Sequence, residues 1–217
     1  YEETYDKLIL SPGAAPVRKP LEGIDSEGIF TLRNVNDTDR VKEYIEENDV
    51  KRALIVGAGF IGLEMAENLH EYGIQVSVVE MADQVMTPVD YEIATVVHQH
   101  FKSKGVGLHL QEAVTAFRPV EDGIDVVLKS GLVLQVDMVL LSIGVRPDVK
   151  LAREAGLEIG VTGGIKVNEF LQTSHPDIYA VGDAIEFPNP VSGHPSLAFL
   201  AGPANKQGRI CADNVVN

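Results

Sequence analysis

The stretch ALIVGAGFIGLEMAENL, residues 53–69, decides the fold. Its first four residues are an apolar run of the kind found in a strand covered on both faces. Glycines follow at 57, 59 and 62, and Ile61, Met65 and Leu69 then recur at a spacing of four up to Gly73. That spacing predicts a helix over 61–72 closed by a glycine. A second apolar run, QVSVVE at 75–80, stops on an acid. Strand, glycine turn, helix, strand and terminal acid together suit a dinucleotide. Gly57 permits the tight turn, Gly59 lets the backbone approach a diphosphate, and Gly62 lets helix lie close on strand. The free N–H groups and the positive end of the helix then face the phosphates. Glu80 is placed to accept both hydroxyls of an adenosine ribose, and its charge opposes a 2′-phosphate. Met81, Ala82 and Asp83 supply no cation to neutralise one, so NAD(H) is expected over NADP(H). A glycine-rich turn holding no ligand is the alternative.

Outward from this core, Lys51–Val56 reads as the first strand, 33–45 as a helix opened by an Asn or Asp cap, and Val89–Lys104 as a helix after Thr87 and Pro88. From Val106 short alternating runs broken by Asp-Gly and Ser-Gly predict an antiparallel meander. Residues 137–144 return to a buried strand. The fold class expected is α/β: a doubly wound, Rossmann-like NAD domain, parallel sheet plus meander, inserted into a partial second domain. Tyr5–Leu10 and residues 177–181 are strands of that second domain, and a helix lies near the C-terminus. The boundaries expected are 1–32 and 151–217 for its two pieces and 33–150 for the NAD domain.

Composition narrows the function classes. A net charge of −14 argues against a nucleic-acid partner, which needs clustered cations. No apolar stretch approaches the roughly 20 residues of a membrane span. The lone cysteine, Cys211, excludes a disulfide within the chain and suits a reducing cytoplasm; its spacing with Ala204, Gly208 and Val215 is that of a small buried hydrophobe. The six histidines lack partners at ligand spacing, so no metal site is expected. Starting at Tyr1 and reaching a strand at once, the sequence reads as part of a longer protein.

Five motifs carry a resemblance: YDKLILSPGA (5–14), GAGFIGLE (57–64), SIGVRPD (142–148), DIYAVGDA (177–184) and LAGPANKQGR (200–209). In this order they resemble the pyridine nucleotide-disulfide oxidoreductases over nearly the whole chain. The nearest branch contains CoA-disulfide reductases, NADH-dependent persulfide reductases, NADH oxidases and NADH peroxidases, and MTPVDYEIA (86–94) leans toward the first two. The resemblance implies FAD as a second cofactor in the intact protein, with hydride passing from NADH to FAD. It implies Asp183 as an acceptor for the flavin's ribityl chain, Ser11, Pro12 and Gly13 on the adenosine side, and a helix from 197–205, with Ala201 and Ala204, approaching the flavin ring. Around NAD it adds Ile61 to the turn, Phe60 as the aromatic covering the flavin, Glu64 toward the nicotinamide and Gly144 beside its ribose. Phe60 as a core residue, Glu64 as a surface acid and Asp183 as a turn cap remain open alternatives. The family's first glycine fingerprint, its redox cysteine and its dimerisation domain are expected outside these 217 residues, so no catalytic residue is assigned here. The acceptor implied is a small disulfide, a persulfide or an oxygen species, and the intact protein a cytoplasmic homodimer. A binding module without catalysis is the rival from another class.

Overall fold

The computed structural model describes residues 2–216, so Tyr1 and Asn217, at the outer ends of the two flanking segments, lie outside the described residues. It divides into two compact units, one of Tyr1–Ala15 with Val145–Asn217, the other of Pro16–Gly144.

The chain opens in the first unit with β1 (Leu8–Leu10), and β2 (Ala14–Pro16) leads out of it. In the second unit come β3 (Ile29–Thr31), α1 (Val35–Glu47), β4 (Arg52–Val56), α2 (Phe60–Glu71), β5 (Gln75–Glu80), α3 (Tyr91–Ser103) and β6 (Gly107–Leu110). The meander β7 (Val114–Val120), β8 (Gly123–Leu128) and β9 (Val133–Val136) precedes β10 (Met138–Leu141). Five strands form one sheet in the order β3-β10-β4-β5-β6, every neighbour parallel. This is the parallel sheet of the Rossmann-like α/β class expected, here with helices on one face and the meander on the other. On one face Ala53, Ile55, Val76, Val78, Met138 and Leu140 pack with the helices. On the other, Leu54, Val56, Val79, Val139 and Leu141 pack with meander residues such as Phe117, Val126 and Leu128. Burial on both faces is why these strands read as continuous apolar runs.

Local signals set the helix starts. Asn34 caps α1: its side chain accepts from the Asp37 N–H at 3.1 Å, and the Asp37 carboxylate accepts from the Asn34 N–H at 3.2 Å, a reciprocal cap that satisfies two orphan donors. His98 is buried while His100 is exposed, as their spacing on α3 demands. The second unit begins before residue 33. Ile29, Phe30 and Thr31 pair with Val139, Leu140 and Leu141, adding an edge strand that three residues could not announce in sequence.

At the opposite end of the sheet from the glycines, Asp137 accepts the backbone N–H groups of Lys51 (2.9 Å) and Arg52 (2.7 Å) and the Arg52 guanidinium. Burial pushes this carboxyl up, but the Arg52 side chain and the two N–H groups outweigh it and hold it low. Asp137→Ala should therefore lower the unfolding free energy by about 2 kcal/mol, the scale of losing hydrogen bonds to a charged group. Because the folded carboxyl titrates lower than the unfolded one, that contribution is present above about pH 4 and lost as pH falls through the lowered value. Urea unfolding of both proteins from neutral pH to pH 3 should show curves that converge in acid.

Returning to the first unit are β11 (Val145–Pro147), α4 (Lys150–Glu154), β12 (Ile165–Lys166), β13 (Ile178–Ala180), β14 (Ile185–Pro188), β15 (Pro195–Ser196) and α5 (Ala201–Val216). β1 and β13 run parallel, with Leu10 opposite Ala180. Cys211 is fully buried on α5 among Ile178, Ala180 and Ile185, packed as a small hydrophobe, and burial pushes its thiol up.

Candidate functional site

The turn between β4 and α2 is built where side chains do not fit. Gly57 has φ +103°, and a Cβ there would stand 2.2 Å from the Ser142 carbonyl oxygen. A Cβ on Gly62 would stand 2.0 Å from the Gly57 carbonyl oxygen, so the first turn of α2 lies directly on the strand end. Gly59 differs. It is the N-cap of α2 in extended backbone, and nothing lies within 4 Å of where its Cβ would be. No side chain caps α2, and no acid occupies its first turn. The leading N–H groups of a helix have no intrahelical partner, so those of Phe60, Ile61 and Gly62 carry the positive end of α2 beside the open position at Gly59.

Glu80, at the end of β5, is tied to this turn. Its Oε2 accepts the Ala58 N–H at 2.7 Å and its Oε1 accepts the Ala82 N–H at 2.9 Å. A carboxylate offers about four lone-pair directions, so each oxygen keeps one for a further donor such as a sugar hydroxyl. Glu80 and Gly57 line a cavity of about 370 Å³ at the strand ends, with Val56 and Val79 as its floor. Its other walls include Lys19, Met81, Glu112 and Phe117. Sequence reasoning missed Lys19, Glu112 and Phe117, because they reach the cavity from segments remote from the glycine turn and carry no motif.

Not every candidate gathers there. Phe60 is 56% exposed and so outside the core; with Glu64 it lines a groove between α2 and α3. Ile61 is 41% exposed, while Gly144, with φ +98°, ends the segment after β10 and accepts the Val17 N–H at 2.9 Å.

In the first unit, Ser11 follows β1, and Gly182 and Asp183 follow β13, at the C-terminal ends of neighbouring parallel strands. Gly182 has φ +77°, and its Cβ position lies 3.8 Å from the Ser11 Oγ and 3.9 Å from the Ala204 Cβ. Its N–H donates to the Gln207 side chain at 2.8 Å. Sequence and fold thus bring Ser11, Asp183 and the first turns of α5 together, with Pro12 and Gly13, at φ +75°, continuing the first edge. The Asp183 carboxylate is half-buried, and burial alone pushes its pKa up.

The sequence profile of the pyridine nucleotide-disulphide oxidoreductases matches residues 1–204. The chain belongs to this family. It is 39% identical over 216 residues to an NADH oxidase of Methanocaldococcus jannaschii, covering 99% of this chain and 48% of that protein. Among solved structures it is similar to the reduced Bacillus anthracis CoADR-RHD, with a TM-score of 0.94 and 53% identity over 98% of this chain and 38% of that one. An NAD-dependent persulfide reductase from A. fulgidus superposes with a TM-score of 0.93 at 38% identity, over 98% of this chain and 39% of the other. The chain spans about half the length of the curated relatives it matches. Among the described residues no helix is long and apolar enough to cross a membrane.

Proposed function

We propose that this chain is the NADH-docking part and a portion of the FAD site of a flavin-dependent reductase similar to the CoA-disulfide and persulfide reductases. One observation carries it: the acid ending β5 is hydrogen-bonded to the glycine turn at Ala58, beside a helix end with no cap and an open space at Gly59. The residues fit a dinucleotide. The N–H groups of Phe60, Ile61 and Gly62 face its diphosphate, the free lone pairs of Glu80 take the ribose hydroxyls, and the cavity walled by Met81 and Phe117 takes the adenine. Gly144, Phe60 and Glu64 serve the nicotinamide end, an assignment that rests on the resemblance. The cofactor assignment made for 33–150, and for 1–32 with 151–217, carries over to the two units.

For FAD, the half-buried Asp183 carboxylate, with no hydrogen-bond partner among the described residues, suits a ligand hydroxyl. Ser11, Pro12 and Gly13 edge the same site, and Ala201 and Ala204 are small enough to let a flat ring approach α5. NADH supplies a hydride and FAD accepts it in the intact protein. What these residues add is placement. The final acceptor is a small disulfide, a persulfide or oxygen, and the intact protein is a cytoplasmic homodimer; the relatives' names, the single cysteine and the family resemblance support this.

The burial of Cys211 favours a second reading for the isolated chain, that of a binding module without turnover, since its one thiol is not available to a disulfide. Anaerobic addition of NADH to the intact protein should bleach its flavin absorption, whereas the 217-residue chain should bind NADH and carry no flavin band. Flavin retained by the isolated chain would sink the module reading; an intact protein whose flavin NADH leaves oxidised would sink the reductase.

A further inference from the structure

Between β5 and α3, residues 81–90 make a loop whose backbone is held at several points. The Gln84 side chain donates to the Val89 carbonyl at 2.8 Å, and Gln111 donates its N–H to the Ala82 carbonyl at 2.9 Å. Met86 sits in the left-handed region at φ +49°, a conformation that costs a side-chain-bearing residue energy unless its surroundings impose it. The residue before it supplies the reason. Val85 is fully buried, and its N–H donates to Nε2 of His98, itself buried on α3, at 3.2 Å. A ring nitrogen that accepts must be unprotonated, and burial keeps the ring neutral. With Val85 pinned, Met86 turns its own N–H onto the Ala58 carbonyl at 2.9 Å.

Ala58 stands between Gly57 and Gly59. Its N–H is held by Glu80 and its C=O by Met86, so the one residue with a side chain among the three is fixed on both sides. Glycines have the most backbone freedom to lose, and a turn of this composition needs external struts if its N–H groups are to stay aimed at one point. We infer that His98 is a positioning residue for dinucleotide binding: by holding the Val85 N–H it sets the Met86 N–H against the Ala58 carbonyl and keeps the glycine turn in its binding conformation. This rests on the dinucleotide reading of the turn. His98 is not among the residues lining the cavity beside Gly57 and Glu80.

The test compares NADH affinity and amide hydrogen exchange for the chain and two variants. His98→Gln places an oxygen acceptor near the Nε2 position and should bind NADH within about twofold of the unmodified chain. His98→Phe fills the space with no acceptor and should bind about tenfold more weakly, the scale of one lost buried hydrogen bond. It should also exchange the amides of Val85, Met86 and Ala58 faster while those of α1 stay unchanged. Equal affinity in both variants would overturn the inference. Should His98→Phe fail to fold, the unmodified chain decides: NADH should slow exchange at Val85 and Met86 together with Ala58, and protection confined to the glycine turn would overturn it. An unmodified chain that does not bind NADH refutes instead the dinucleotide reading itself.

Discussion

Gly59→Ala should leave the fold intact and lower NADH affinity by about a hundredfold, whereas Gly57→Ala should damage both. The two glycines lie two residues apart and meet opposite surroundings. Gly59 is extended with open space over it, so a methyl group strains nothing in the protein and stands where the diphosphate would lie. Stability should change by no more than about 1 kcal/mol, the range for a cap substitution. At Gly57 the methyl would meet the Ser142 carbonyl at 2.2 Å in a backbone region that side chains rarely enter. Strain and displacement of the β10 end together should cost about 2–4 kcal/mol. Urea unfolding and NADH titration, run on both variants, separate the two effects. Equal binding by Gly59→Ala and the unmodified chain would mean that the open space is not the diphosphate site.

Glu80→Ala carries the second large effect, and its diagnostic is a ratio. Each charge-assisted hydrogen bond from a ribose hydroxyl contributes about 1.5–3 kcal/mol, so NADH affinity should fall by more than tenfold. Removing the carboxylate also frees the Ala58 N–H from its partner, which loosens the turn for any dinucleotide and weakens NADPH through that route as well. The repulsion of a 2′-phosphate by Glu80 disappears, however, and the cavity wall then carries the acid Glu112 balanced by the cation Lys19. The preference for NADH over NADPH should therefore shrink by about tenfold or more even as both affinities change. An unaltered ratio would place the sugar elsewhere.

The parts legible in the sequence were those set by neighbours in the chain. The strand–turn–helix at 53–72, the acid at position 80 and an Asn or Asp cap ahead of α1 follow from spacing and turn chemistry and stand within two or three residues of their expected bounds. The meander expected from Val106, by contrast, starts only at Val114, because Gly107–Leu110 pairs parallel with β5 as the edge strand β6. What stayed hidden depends on contacts distant in sequence. β3 is three residues long and exists because Ile29 meets Val139, more than a hundred residues away. The Glu80 side chain reads as a ribose acceptor in sequence, yet in the fold it also anchors Ala58, a bond that only the register of β4 against β5 creates. His98 reads in sequence as a helical histidine two residues from His100 with no ligand partner, and nothing in its spacing announces the Val85 N–H. The cavity walls at Lys19 and Phe117 were invisible for the same reason.

Amide chemical-shift mapping of the chain during titration with NADH tests the binding claim most directly. The largest saturable shifts should fall at Gly59, Phe60, Ile61 and Gly62, with a second group at Glu80–Ala82 and none of comparable size at the far end of the sheet around Arg52 and Asp137. Shifts centred anywhere else, or no saturable shift at the glycine turn, would contradict it.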